Sequence, residues 1–216
     1  MAWINNDGKQ GFLTTEKLRH MARLFWGNEK AAEFDSPDMM GAAAVHMQNR
    51  AYAKENLVAC DWFWPINFSG NVASGTGAPD IEARLFSAVT GEDIDEAEYM
   101  RIGARCFNQN RAVYLREGRR GRRDDVLEER FYNSPFEKSS NLISTANPEF
   151  KMPGTDGKLI SLKGAKIDRE SFKRMMDDYY QTRDWDIETG LFKEEGLSNL
   201  GLADMIPELE NNGFVS

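Results

Sequence analysis

The chain has 216 residues, of which 41% are hydrophobic and 29% are charged, which is typical of a globular protein. Its net charge of −8 argues against general nucleic-acid binding, which needs a basic surface. No apolar run reaches the roughly 20 residues of a membrane span, and the first residues resemble no export signal. With only two cysteines, we expect a cytoplasmic protein without disulfides and no membrane partner.

The spacing of apolar residues predicts a series of helices. The first begins at Thr14 or Thr15 and ends at Gly27, and Ser36 opens a longer one. The apolar face predicted for that second helix comprises Met40, Ala44, Met47, Ala51 and Val58. A third helix has Ile81, Leu85, Ala88 and Val89 as its predicted buried face, and a fourth runs from about Asp95 to Glu117.

The last third of the chain adds one expected β element. Residues 150–162 alternate apolar and polar around Asp156-Gly157, which predicts a hairpin, and Asp168 then caps another helix. The predicted fold class is therefore mainly α, an irregular multi-helix domain with one small β-hairpin near residues 149–162. We expect three parts: residues 1–35 as an N-terminal segment and first helix, 36–147 as the helical core, and 148–216 packed on the same domain.

Cys60 is the residue most suited to carry chemistry. It ends the pattern of the second helix, and the aromatic and proline residues that follow, Trp62, Phe63, Trp64 and Pro65, could wall off a site. The thiol could be a nucleophile, a metal ligand or an inert side chain, and spacing alone favours the inert one. Neither His20 nor His46 can be placed beside it as a base. Cys106 lies in an apolar stripe of the fourth helix, which favours a buried structural thiol.

Residues 116–125 carry five arginines in an otherwise acidic protein. One interpretation is a solvated loop that nearby carboxylates neutralise, those of Asp124, Asp125, Glu128 and Glu129. The other is a site for a phosphate-bearing cofactor or an acidic partner, because the guanidinium group binds phosphate through two parallel hydrogen bonds.

Four segments, in order, resemble the aldehyde ferredoxin oxidoreductases, a family of tungsten-pterin enzymes. Residues 55–61 (ENLVACD) are similar to that family's last cysteine motif. The other three segments are residues 79–91, the arginine and acid-acid region of 114–130, and 178–190 with its Tyr179-Tyr180 and Arg183-Asp184-Trp185. The resemblance covers about residues 36–204. It departs from the family pattern at Glu55, where aspartate is usual, and at Val58-Ala59, where Gly-Leu or Val-Leu is commoner.

The resemblance implies a mostly helical C-terminal domain that closes over a tungsten bis-pterin. In it, Cys60 would bind one iron of a [4Fe–4S] cluster, and Glu55 and Ala59 would contact the pterin. The substrate-reacting residues, and the choice between tungsten and molybdenum, are not identified. A preceding pterin-binding portion or subunit would have to supply the other thiolates.

The expected function is one part of an oxidoreductase that converts aldehyde to carboxylate and passes electrons to ferredoxin or another carrier. The part is expected to be inactive by itself. One alternative is a subunit of an aromatic acyl-CoA reductase of the same superfamily. Another is a non-catalytic helical interaction domain in which Cys60 is inert. A phosphate or nucleic-acid binder acting through Arg119 to Arg123 is a weaker third.

Overall fold

The computed structural model describes residues 14–59, 75, 77–137 and 149–216. These residues form eight α-helices and one two-stranded antiparallel sheet, so the predicted mainly α fold is confirmed. None of the described helices is long and apolar enough to cross a membrane. The helices are α1 (Thr15–Trp26), α2 (Met40–Asn56), α3 (Ile81–Thr90), α4 (Glu96–Arg116), α5 (Arg130–Asn133), α6 (Arg169–Thr182), α7 (Glu194–Asn199) and α8 (Ile206–Asn211).

Contacts between residues divide the chain into two compact units. The first unit comprises Met1–Ala43 and Leu127–Asp178, and the second comprises Ala44–Val126 and Tyr179–Ser216. The three-part organisation predicted from the sequence remains a prediction.

Helix α1 supplies the core of the first unit. The Thr14 hydroxyl accepts a hydrogen bond from the Lys17 N–H, and Gly27 ends the helix with a φ of 74°, both as predicted. The buried face of α1 packs against three alanines that follow it in the chain and against Leu159. This core consists of Leu18, Met21, Ala22, Phe25, Ala31, Ala32 and Ala43.

The predicted hairpin is present in the first unit. Strand β1 (Lys151–Pro153) pairs with β2 (Leu159–Ser161) in antiparallel register. The turn between them places Asp156 and Gly157 at positive φ, a conformation that these two residue types tolerate best. The Asp35 carboxylate anchors the turn because it accepts hydrogen bonds from the Thr155 N–H, at 2.7 Å, and from the Thr155 hydroxyl, at 3.0 Å.

In the second unit, α4 lies directly against α2. Gly103 faces the backbone of α2 so closely that a Cβ atom there would lie 1.9 Å from the Asn49 carbonyl oxygen. Only a glycine permits this approach, which brings the two long helices into contact. Ala53 of α2, Ala83 of α3 and Tyr99 of α4 form one small buried cluster.

The predicted faces of α2 and α3 are wrong in part. Leu85 and Val89 of α3 are 42% and 79% exposed, whereas Glu82 is fully buried. On α2, Met47 is exposed, and Val58 lies beyond the end of the helix. The reason is a set of buried charges, described below, that turns Arg50, Lys54 and Glu82 inward where the hydrophobic pattern alone would place apolar side chains.

Candidate functional site

Helix α2 ends in a defined hydrogen-bonded motif. The Ala59 N–H donates to the Lys54 carbonyl at 3.1 Å, and the Val58 N–H donates to the Glu55 carbonyl at 3.0 Å. This pair of bonds is the Schellman motif, which normally has glycine at the position that Val58 occupies. Val58 adopts a φ of 56° and is 92% exposed. A β-branched residue in this left-handed conformation is strained.

The Schellman motif brings two of the three predicted site residues to one helix end. Glu55 is exposed in the last turn of α2, and Ala59 folds back onto that turn and is partly buried. Within the described part of the chain, nothing pairs with the Glu55 carboxylate. Cys60, the predicted iron ligand, lies outside the described residues, as do Trp62 and Trp64 after it.

A buried ion cluster lies directly behind this helix end and consists of Arg50, Lys54 and Glu82. Arg50 and Lys54 are one turn apart on α2, so their side chains lie on the same face. The fully buried Glu82 of α3 accepts a hydrogen bond from Arg50 through Oε2, and its Oε1 lies 4.0 Å from the Lys54 ammonium nitrogen. Among the described residues, that Oε1 accepts no hydrogen bond.

The ion cluster also includes backbone and a neighbouring acid. Arg50 donates to the Pro79 carbonyl at 3.4 Å, just before α3 begins. Burial raises the pKa of Glu96 at the start of α4, and the charge of Arg50 acts against that rise. The apolar face predicted for α2 contains neither Arg50 nor Lys54 and gave no indication of the cluster. The signal was two basic residues at i and i+4 inside an otherwise apolar helix.

The acid-acid and aromatic segments that carry the family resemblance meet in the core of the second unit. Asp125 accepts hydrogen bonds from Arg111, at 2.7 and 3.0 Å, and from the Tyr180 hydroxyl at 2.7 Å. Burial acts to raise the pKa of Asp125, but the bonds from Arg111 and Tyr180 outweigh it and hold that pKa below its usual range. Asp125 therefore stays ionised in the folded protein and stabilises the buried Arg111.

Trp185 is the centre of the same core. Its indole N–H donates to the Asn108 side-chain oxygen at 2.8 Å, and the Arg111 guanidinium lies 4.8 Å from its ring centroid. Its ring also packs against the aromatic rings of Phe107, Tyr179, Tyr180 and Phe192. These contacts are internal to the unit, so this segment of the resemblance has a structural role.

Arg183, from the same segment, is only 5% exposed and is held by neutral groups. It donates to Gln48 at 2.6 Å and to Asn49 at 2.5 Å, and its guanidinium lies 3.7 Å from the centroid of the Phe107 ring. Burial lowers the pKa of His46, and the charge of Arg183 lowers it further. None of the described carboxylates pairs with His46, so the structure does not supply it with the partner that a catalytic base commonly has.

Three arginines of the run, Arg116, Arg119 and Arg120, pair with carboxylates of the described residues. Arg120 pairs with Asp124 at 2.5 Å, Arg119 pairs with Asp125 at 3.0 Å, and Arg122 donates to the Ile187 carbonyl at 2.6 Å. Hydrogen bonds from Arg120 lower the pKa of Asp124 to about 2. The structure thus favours the neutralised loop over a phosphate site. Two of the carboxylates that were expected to neutralise this loop have other partners: Glu128 pairs with Arg130, and Glu129 pairs with Arg169.

Cys106 differs from its prediction. It is partly exposed rather than buried, and it accepts a hydrogen bond from the Asn56 side-chain amide at 3.0 Å. Asn56 is the last residue of α2, so this thiol lies beside the same helix end as Glu55 and Ala59.

The donor set of the chain fits part of an iron–sulfur site. A [4Fe–4S] cluster takes four thiolates, and the sequence contains two cysteines. The described residues contain no group of three or more His, Cys, Asp or Glu side chains placed to bind a metal. The end of α2 presents an exposed carboxylate and leads into one cysteine. This arrangement fits a site in which the chain supplies one of the four cluster ligands.

Comparison with known proteins gives one consistent family. Residues 7–202 match a family model described as aldehyde ferredoxin oxidoreductase, domains 2 and 3. Similar curated proteins are the tungsten-containing aldehyde ferredoxin oxidoreductases of Pyrococcus furiosus, 30% identical over 130 residues, and of Thermococcus kodakarensis, 27% identical over 132. These matches cover 60% and 61% of this chain but only 17% and 18% of the relatives.

Proposed function

Because the chain belongs to the aldehyde ferredoxin oxidoreductase family, we propose that it forms the C-terminal helical part of a tungsten-pterin, iron–sulfur oxidoreductase. The reaction is the oxidation of an aldehyde to a carboxylate, with ferredoxin or another carrier as electron acceptor. The observation that carries the proposal is the end of α2, which presents Glu55 and Ala59 immediately before Cys60.

Each residue of this helix end has one proposed role. The exposed Glu55 carboxylate accepts hydrogen bonds from the N–H groups of the pterin, and the small Ala59 lets the pterin approach the backbone. Cys60 supplies one thiolate to the [4Fe–4S] cluster. When bound, the tungsten pterin would supply two-electron chemistry, and the cluster would supply one-electron transfer. Since both groups would bind at one helix end, the Schellman motif would set the distance between them.

The chain supplies only part of this site. A further pterin-binding portion or subunit contributes the other three thiolates of the cluster and most of the pterin pocket. This agrees with the small share of the curated relatives that the chain spans.

The two cysteines provide a matched test. The protein is produced with its pterin-binding portion, and iron and tungsten per protein are measured for the wild type, Cys60→Ser and Cys106→Ser. We expect Cys60→Ser to lose cluster iron and its electron paramagnetic resonance (EPR) signal, whereas Cys106→Ser keeps both. Full iron in Cys60→Ser, or its loss only in Cys106→Ser, would contradict the proposal.

One observation favours a second candidate, a non-catalytic interaction domain. The outer face of α3 carries Leu85 and Val89, both exposed. Wild-type protein that contains neither iron nor tungsten, but still binds a protein partner through this face, would favour that function. The acyl-CoA reductase alternative lacks such support, because a phosphate on CoA would have to compete with Asp124 and Asp125 for the arginines.

A further inference from the structure

Helix α3 follows its hydrophobic pattern only in part, since it buries Ala83 and half-buries Ile81 and Phe86. It exposes Leu85 and Val89 and buries the Glu82 carboxylate completely. Burying an ionised carboxylate is costly unless partners compensate for its lost hydration, and exposing two apolar side chains gains nothing. Such local conflicts are expected where function, rather than packing, decides the arrangement.

What this orientation achieves is a connection between α3 and the last turns of α2. Glu82 binds Arg50 and lies 4.0 Å from Lys54, and Arg50 also donates to the Pro79 carbonyl. Lys54 is at the same time the residue whose carbonyl accepts the Ala59 N–H in the Schellman motif. Lys54 therefore belongs both to the ion cluster and to the Schellman motif that presents Glu55 and Ala59.

We infer that Glu82 is a positioning residue of the cofactor site, which holds Arg50 and Lys54 so that the end of α2 keeps the geometry its cofactors require. Glu82 touches neither cofactor and acts through α2. The inference rests on the proposed function.

The alternative is that the ion cluster serves stability alone, and the two roles can be separated. A buried ion cluster can often be replaced by apolar residues of similar volume with no loss of stability, whereas removal of one partner is strongly destabilising. The triple substitution Arg50→Met, Lys54→Met and Glu82→Met should therefore fold, while it loses the directional contacts that orient the helix end.

The experiment compares the wild type, the triple variant, Glu82→Gln and the control Glu92→Gln, each in the protein produced with its pterin-binding portion. Glu92 is an exposed carboxylate just after α3 and lies outside the ion cluster. Three quantities are measured: the midpoint of thermal unfolding, the EPR spectrum and reduction potential of the reduced cluster, and the rate at which a chelator removes its iron.

We expect the triple variant to unfold near the wild-type temperature but to lose iron about 10-fold faster, with a changed EPR spectrum, as is usual when the support of a metal ligand is removed. Glu82→Gln should lose iron quickly and also unfold at a lower temperature, and Glu92→Gln should match the wild type. A triple variant with wild-type iron retention, spectrum and potential would overturn the inference while leaving the proposed function intact. Wild-type protein without iron would overturn the proposed function, and this inference with it.

Discussion

Val58→Gly should stabilise the protein, although it removes a side chain. Val58 has a φ of 56°, in the left-handed region where a residue with a Cβ atom is disfavoured by about 1–2 kcal/mol. Because the side chain is 92% exposed, its removal sacrifices almost no packing. Glycine's greater freedom in the unfolded chain offsets roughly 0.5–1 kcal/mol of the gain. The expected net effect is a rise of about 0.5–1 kcal/mol in the free energy of unfolding.

The assay is urea unfolding followed by circular dichroism, in which an unchanged slope with a higher midpoint indicates added stability. Val89→Gly is the matched control, since Val89 is also exposed but lies inside helix α3. That substitution should lower the free energy of unfolding by about 0.3–0.5 kcal/mol, because valine is itself a poor helix former. Val58→Ala should gain less than Val58→Gly, because alanine retains a Cβ atom at positive φ.

The reasoning would be refuted if Val58→Gly and Val89→Gly destabilised the protein equally. Equal losses would mean that the flexibility of glycine outweighs any relief of backbone strain at Val58. The Schellman motif would then not be strained by its valine, and the departure from glycine at this position would have no energetic consequence.

Three further predictions concern the second unit. Asp125→Asn should lower the free energy of unfolding by about 3 kcal/mol, because it leaves Arg111 buried without its carboxylate; equal urea midpoints for variant and wild type would contradict this. Folding lowers the pKa of Asp125, so its ionised carboxylate contributes to the free energy of unfolding. This contribution is complete above the unfolded pKa of about 4 and is lost as the pH falls through the lower folded pKa. Urea midpoints between pH 7 and pH 3 should therefore fall less steeply in Asp125→Asn than in the wild type, and parallel curves would exclude this cause. Gly103→Ala should cost about 3 kcal/mol by overpacking against Asn49. Gly213→Ala has open space around it and only the strain of a φ of 70°, so it should cost about 1–2 kcal/mol, and equal losses in thermal unfolding would contradict the close approach of α2 and α4.

Local signals predicted the elements of the fold well. The ends of α1 at Thr14 and Gly27 were predictable because capping depends on residues only a few positions apart. The hairpin turn at Asp156-Gly157 was predictable for the same reason. These interactions are complete within short segments, so the sequence displays both partners side by side.

Interactions between distant residues were not predictable in the same way. The α3 face was wrong because Glu82 has its partners about 30 positions earlier, and no periodicity within α3 reveals them. The ion pairs of Arg119 and Arg120 were predictable because their carboxylate partners are only a few residues away in the sequence. The hydrogen bond from Arg122 to the Ile187 carbonyl was not predictable, because its partner is distant in the sequence. For the proposed cofactor site, the sequence pattern extended the second helix to Cys60, whereas α2 ends at Asn56. The hydrogen bonds that make Val58 the glycine position of a Schellman motif give no signal in the sequence.

The division of each unit between two stretches of chain has a consequence for biosynthesis. Trp185, on which the aromatic core of the second unit depends, is made well after helix α4, whose Phe107 and Asn108 it contacts. At about 5–20 residues per second, the ribosome would complete α4 several seconds before that indole is made. During this interval the nascent helices lack their central ring, and we expect them to be substrates for chaperones.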